Sequence, residues 1–294
     1  MCKECGCGLP GENPVGISAH RHEHGHDHHH HDHDRGHAHD HEHEHDHDHP
    51  HDHEHSHEET DAGHAHDAAV ATHRTVEVRR AILDKNDRLA KRNRGFFLGR
   101  GLLALNVLSS PGSGKTTFIR ETIRALGKRL KTGVIVGDLA TDNDAQRLRE
   151  SGAPVVQITT GTVCHLEAEM VANALKQLDL GGVELLIIEN VGNLVCPAAY
   201  DLGEELRVVL WSVTEGEDKP LKYPPMFQSA NVAVISKMDL ATACEYQRDV
   251  ALANLRRLAP EAIVFETSSK TGVGLEAWCE FLLARHRSLK ETAA

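Results

Sequence analysis

The sequence contains no run of eighteen apolar residues, and its N-terminus lacks the apolar core of a secretory signal. Neither a membrane-spanning helix nor an exported precursor is expected, and the chain reads as soluble and cytoplasmic. It also lacks a basic excess where one would matter. Through Asp67 there are 3 Lys and Arg against 17 Asp and Glu, whereas the remainder holds 29 against 27. The formal charge of −12 therefore belongs to the N-terminal tail, and the rest is nearly neutral. A neutral body has nothing with which to offset nucleic-acid phosphates, so nucleic acid is not expected as the main partner. An even set of cysteines is missing too. The chain has 7, and in a reducing compartment such residues serve as thiols or metal ligands more readily than as disulfides.

The tail itself is unusual in two ways. Cys2, Cys5 and Cys7 fall within six positions, with Gly6 and Gly8 allowing the backbone to fold tightly around one ion. As thiolates they suit a soft or borderline metal, nickel in a planar site or zinc in a tetrahedral one. From His20 to His66 lie 22 of the 25 histidines, mostly alternating with Asp and Glu. With no hydrophobic periodicity this stretch cannot build a core and is expected to be disordered. Neutral imidazoles bind divalent transition metals, so weak multivalent metal storage or buffering is expected of it. Residues 1–67 are thus read as a Cys/His-rich tail and 68–294 as one α/β domain, long enough to bury a sizeable core. An amphipathic helix over Asp67 to Arg94 is expected to pack on that domain, with its basic face solvated.

The folded part is organised around the segment from Leu105 to Thr117. An apolar run from Leu102 to Leu108 feeds Ser109-Ser110-Pro111-Gly112-Ser113-Gly114-Lys115-Thr116-Thr117, and a helical pattern follows from Phe118. This is the pattern of a phosphate-binding loop. Small side chains free the N–H groups of Gly112, Ser113, Gly114 and Lys115 to wrap a polyphosphate at a helix N-terminus. Lys115 would reach the β- and γ-phosphates, and the Thr116 hydroxyl would bind Mg²⁺. Ser109 stands where the full pattern has Gly.

Further strands are expected over Gly133–Asp138, Val155–Ile158, Val183–Ile188, Arg207–Val213, Val232–Ile235 and Ile263–Phe265, with a last helix over Leu275–Leu289. In open parallel sheets ligands bind beyond the carboxyl ends of the strands. Asp138, at one such tip, could hold Mg²⁺ or orient water. Asp142 reads as a cap of the next helix, and Asp144 is open between the two roles. Glu189-Asn190-Val191-Gly192 matches the Mg²⁺-side acid and γ-phosphate-sensing glycine of nucleotide hydrolases, with Glu where Asp is commoner. Cys196 follows on a segment that should move when the γ-phosphate is lost. Cys164 and His165 are expected to open the helix before Val183. Two thiolates and an imidazole could converge there as a metal set, or the two cysteines could simply be buried. Cys244 and Cys279 fall in helical patterns and read as structural.

Ser236-Lys237-Met238-Asp239 looks like the guanine-reading Asn-Lys-x-Asp of GTPases with Ser in the leading place. One carboxylate at Asp239 can accept both N1–H and the N2 amino group of guanine, a pair that adenine lacks, and Lys237 would lay its stem along the base. Glu266 to Gly272, including Ser269 and Lys270, is similar to the loop that closes over the base. No arginine finger is evident, so unaided turnover should be slow.

Taken together, the Cys-rich start, the His-rich tail, Ser109 to Thr117, Cys164-His165, Glu189 to Gly192, Cys196 and Ser236 to Asp239 resemble HypB, the family of hydrogenase nickel-incorporation GTPases. The resemblance implies a P-loop NTPase with a mostly parallel sheet, GTP and Mg²⁺ as nucleotide and cofactor, and nucleotide-dependent homodimerisation. It further implies a nickel site at Cys2, Cys5 and Cys7, and a nickel or zinc site at Cys164, His165 and Cys196 near the dimer interface. The partners implied are a small zinc-containing accessory protein and the immature hydrogenase large subunit. The rival readings are a urease-type nickel GTPase, which favours Cys-x-His pairing over the adjacent Cys164-His165, and a nickel store with a vestigial nucleotide domain.

Overall fold

The computed structural model describes residues 16–18, 63–139 and 142–293. Cys2, Cys5, Cys7 and the histidines from His20 to His57 lie outside the described residues. Eight strands form one sheet: β1 (Gly16–Ser18), β2 (Leu103–Ser109), β3 (Thr132–Asp138), β4 (Val155–Thr159), β5 (Leu185–Glu189), β6 (Leu206–Ser212), β7 (Val232–Ser236) and β8 (Ile263–Glu266). Their order is β1-β4-β3-β5-β2-β6-β7-β8. Strands β2 to β8 run parallel, as a P-loop NTPase requires, and β1 adds antiparallel at the β4 edge. The sequence reading did not anticipate β1, a three-residue strand inside the tail.

The central strands are continuous apolar runs because both faces are covered. Their period of two sorts side chains between the faces. Leu103, Leu105 and Val107 pack with Phe118, Ile119 and Trp278, from α2 (Lys115–Leu126) and α8 (Leu275–Ala293). Leu102 and Ala104 point the other way, with Phe97 of α1 (Gly63–Gly99) and Val171 of α4 (Ala168–Leu175). Asn106 faces that second side, and it is fully buried.

Helix α1 is longer than the amphipathic pattern suggested, and part of its polar surface is engaged rather than solvated. Asn93 Nδ2 donates to the carbonyls of Ala168 (2.8 Å) and Leu202 (3.0 Å). Asn86 Oδ1 accepts from the Ala168 N–H at 2.9 Å, satisfying a donor at the start of α4 that the helix leaves without a partner. Arg94 pairs with Asp201 at 2.9 Å, and Lys85 with Glu169 at 2.7 Å. The helix thus holds α4 and the segment 201–204 in place. No helix among the described residues is long and apolar enough to cross a membrane.

Candidate functional site

The sheet order places the site. The phosphate loop leaves β2 at the centre of the sheet, and β5 is its neighbour on one side, with Val107 opposite Glu189. The next strand, β3, brings Val136 opposite Glu189 and Asp138 one turn of the pleat further on. A cavity of 540 Å³ opens above these tips, lined by residues 109–117, Gly137, Asp138, Leu139, Asp144, Arg147, Glu189, Val191, Gly192 and Lys237.

Gly112 and Gly114 adopt φ of 76° and 95°, the left-handed region open to glycine at no steric cost. Helix α2 starts at Lys115 with no side chain capping it, so the first-turn N–H groups face the cavity as an anion site. Ser109 is buried in β2 and is not among the described positive-φ residues, so the loop has no conformational need for glycine there. Ser110 Oγ donates to Glu215, which anchors the loop to the end of β6.

Lys115 and Glu189 form the charged floor. Glu189 Oε1 accepts from Thr116 Oγ1 at 2.6 Å and lies 3.8 Å from Lys115 Nζ. Burial pushes the Glu189 carboxyl up to about 7 and pulls the Lys115 ammonium below its usual value, each partly offset by the other. Glu189 Oε2 is buried with no hydrogen-bond partner among the described residues. A buried carboxylate oxygen without a donor, beside a threonine hydroxyl, is a hard-oxygen set that fits Mg²⁺. The structure therefore gives Thr116 the buried Glu189 as its acid partner; Asp138 stands across the cavity, half-buried, with its Oδ1 accepting from the Leu139 N–H at 2.6 Å.

Asp142 occupies the position before α3 (Asn143–Arg149) but makes no capping hydrogen bond; it pairs with Arg149 at 2.9 Å instead. Asp144 and Arg147 both line the cavity, 3.6 Å apart. Arg147 is a cation at the phosphate pocket that sequence reasoning missed, because a single Arg in a helix carries no pattern.

On the β7 side, Ser236 Oγ donates to the Ser113 carbonyl (2.7 Å) and Lys237 Nζ to the Gly112 carbonyl (2.7 Å). Lys237 holds a left-handed φ of 58°, an uncommon conformation for a side chain of its size. The serine in the leading place of the tetrad thus still ties this segment to the phosphate loop. Asp239 Oδ1 accepts from Ser268 Oγ at 2.6 Å, which joins the tetrad to the segment that carries Ser269 and Lys270. Asp239, Ser269 and Lys270 lie outside the cavity lining proper.

Cys164 and His165 sit in the loop between β4 and α4, not in the helix as the sequence suggested; α4 begins only at Ala168. Cys196 opens a short 3₁₀ turn, Cys196–Ala199. One ligand atom from each of Cys164, His165 and Cys196 lies within 4.8 Å of the others. The His165 ring stacks on Tyr200 with centroids 3.9 Å apart, and both its nitrogens are buried without a hydrogen-bond partner among the described residues. The Glu167 carboxylate is 3.6 Å from Nε2. An orphaned buried imidazole beside two sulfurs is the donor set of a borderline metal ion such as Zn²⁺ or Ni²⁺. Cys279 is buried in α8 as expected, its thiol pushed up to about 11 by burial, whereas Cys244 lies exposed in a turn and not in a helix.

Residues 103–266 match the family model described as CobW/HypB/UreG, nucleotide-binding domain. The hydrogenase maturation factor HypB of Azotobacter vinelandii is 47% identical over 218 residues, spanning 74% of this chain and 72% of that protein. The chain belongs to the HypB family. The Escherichia coli K12 HypB is 45% identical over 231 residues, spanning 76% of this chain and 80% of that one. The crystal structure of HypB from Helicobacter pylori in complex with nickel is similar at a TM-score of 0.67 and 45% identity, covering 69% of this chain and 96% of that one. HypB from Archaeoglobus fulgidus is similar at a TM-score of 0.65 and 40% identity, over 69% and 99%. As a HypB-family P-loop protein, the chain has its phosphate loop, Glu189 and the Cys164–Cys196 cluster within the matched span.

Proposed function

We propose that this chain is a GTPase that binds nickel and couples GTP hydrolysis to nickel delivery into the large-subunit precursor of a nickel–iron hydrogenase. The observation that carries the reading is the meeting of Cys164, His165 and Cys196, the last of them four residues after Gly192 in the wall of the phosphate pocket. The nickel-bound crystal structure of the Helicobacter pylori relative supports nickel as the cargo, with Zn²⁺ as a second ion for the same donors. Three protein ligands leave one coordination position open, for transfer or for a donor from a second copy in a nucleotide- and metal-dependent homodimer. A small zinc-containing accessory protein is the partner for onward transfer, in the cytoplasm. Cys2, Cys5 and Cys7 would form a separate nickel site.

In the pocket, the uncapped start of α2 and the Lys115 ammonium hold the β- and γ-phosphates. Thr116 and Glu189 would hold Mg²⁺, with Asp138 across the cavity; the ion, when bound, neutralises charge developing on the β–γ bridge. Asp138 orients the attacking water, and Arg147 places a guanidinium at the pocket wall. Lys237 and Asp239, closed over by Ser269 and Lys270, select guanine. Water adds to the γ-phosphorus as the β–γ bridging bond breaks, giving GDP and phosphate. Loss of the γ-phosphate frees Gly192, and Cys196 moves with it.

The test is Cys196→Ala, assayed for GTP-dependent nickel affinity and for hydrogenase activity in cells. Loss of both is expected, with nucleotide binding retained. Survival of both would remove the coupling.

A further inference from the structure

For a phosphate to govern a metal site built on two different loops, the two must be joined through the chain. The link begins at Gly192. A Cβ there would lie 3.3 Å from the Cα, N and Cγ of Pro111, so the backbone after Glu189 is packed directly on the phosphate loop. The next residue, Asn193, uses both ends of its side-chain amide. Its Nδ2 donates to the Cys164 carbonyl at 3.3 Å, and its Oδ1 accepts from the Val195 N–H at 2.8 Å. One planar group therefore touches the main chain of one ligand loop and fixes the turn that leads into Cys196.

The other half of the metal site is tied elsewhere. Asn190 Oδ1 accepts from the N–H of Leu166 (3.3 Å) and of Val191 (2.9 Å), and its Nδ2 donates to Asn106 Oδ1 at 3.1 Å. Asn106 in turn donates to Glu204 at 3.1 Å. Leu166, the residue after His165, also fills the space over Gly137, where a Cβ would come within 2.8 Å of it. Asn190 and Asn106 are buried at 1% and 0% exposure, so this tie roots His165–Leu166 in the sheet. Asn193 is only half-buried and hangs from the segment that contacts the phosphate loop. One anchor is fixed to the core and the other is attached to the nucleotide-facing backbone.

We infer that Asn193 is a positioning residue that transmits nucleotide state to the metal site, by setting where Cys196 stands relative to Cys164 and His165. This rests on the pocket being a nucleotide site and the cluster a metal site. A shift of the main chain at Gly192 moves the Asn193 amide, and that amide shifts the Val195–Cys196 turn against the Cys164–His165 loop, which the Asn190–Leu166 bond holds to the sheet. Without the amide, the two loops respond to nucleotide independently.

The test uses the full chain carrying Cys2→Ser, Cys5→Ser and Cys7→Ser, so that thiolate-to-metal charge transfer from added Co²⁺ reports the Cys164–Cys196 cluster and not the tail histidines. Co²⁺ affinity is measured with GDP and with a non-hydrolysable GTP analogue. Asn193→Asp keeps the acceptor for Val195 and abolishes the donor to Cys164; Asn193→Ser, too short to reach Cys164, is the second variant should the first misfold. In the parent chain the two affinities should differ by about tenfold, and in either variant the ratio should fall to within about twofold, with a matching loss of metal effect on nucleotide preference. A variant that weakens Co²⁺ equally in both states, leaving the ratio intact, has a merely structural Asn193 and overturns the inference. A parent chain with no difference between nucleotides overturns the coupling itself, a separate failure that the same titration identifies.

Discussion

Asp239 shows what a single side chain can decide. It is exposed, oriented by the Ser268 hydroxyl, and joined through Lys237 to the carbonyl of Gly112. A carboxylate is acceptor-only and can meet two adjacent donors, whereas an amide brings one acceptor and one donor. Asp239→Asn should therefore move base choice from guanine towards xanthine, by about tenfold to a hundredfold for the loss of a charge-assisted pair of hydrogen bonds. Competition between GTP and XTP for the variant measures it, and unchanged preference would mean that Asp239 does not read the base. At this scale the sequence was most legible where spacing carries chemistry. Lys115, Thr116 and Lys237 are recognisable because a phosphate or a base demands particular groups at particular intervals, whereas spacing left Cys164, His165 and Cys196 open between a metal set and buried cysteines. Asn193 and Arg147 were not legible. An amide or a guanidinium gains its role from what the fold places against it, and neither follows a pattern along the chain.

At the scale of elements, helix ends were offset from the expected ones, Phe118–Leu130 being observed as Lys115–Leu126, while the parallel strands were readable as unbroken apolar runs. The local start of α4 was not. Cys164 and His165 looked like a helix opening, yet the helix waits until Ala168, whose N–H is satisfied by Asn86 from α1, 82 positions earlier in the chain. Helix α8 carries a pH-dependent element of its own. His286 is buried, and its ring titrates below the usual histidine range, chiefly because burial disfavours the cation and secondly because Lys290 is near; Glu184, 4.0 Å from Nε2, and the backbone at Gly101 act in the opposite sense. The unfolded chain then binds this proton at a higher pH than the folded one does. Stability from this group is present above the ordinary histidine range and is lost as pH falls below it. His286→Gln should flatten the decline of the melting temperature between pH 7 and pH 5, read by calorimetry. An unaltered slope would assign that decline to other groups.

For the whole molecule, the composition already divides the chain into an acidic, histidine-rich tail and a nearly neutral body. The two parts should bind metal in different ways. On the proposed function, tail sites would act singly and sum, while the cluster at Cys164, His165 and Cys196 would share one equilibrium with nucleotide. By linkage, a tenfold effect of GTP on nickel affinity, about 1.4 kcal/mol, must return as a tenfold effect of nickel on GTP affinity. Removing residues 1–67 should take away most bound nickel and leave one site whose affinity depends on nucleotide, measured by equilibrium dialysis with GDP and with a GTP analogue. If what remains is indifferent to nucleotide, the protein is a store.

By itself the sequence determined the fold class and the phosphate loop, because these depend on local pattern: an apolar strand, and small residues around a phosphate. Only the tertiary structure decided that Glu189 is the acid against Thr116, that Cys164 and Cys196 approach one another across 32 positions, and that asparagines at 190 and 193 bind the two loops together. Those are distances between parts of the chain far apart in sequence. They are set by strand order and by which buried polar groups must find a partner once water is excluded, and no local pattern encodes them.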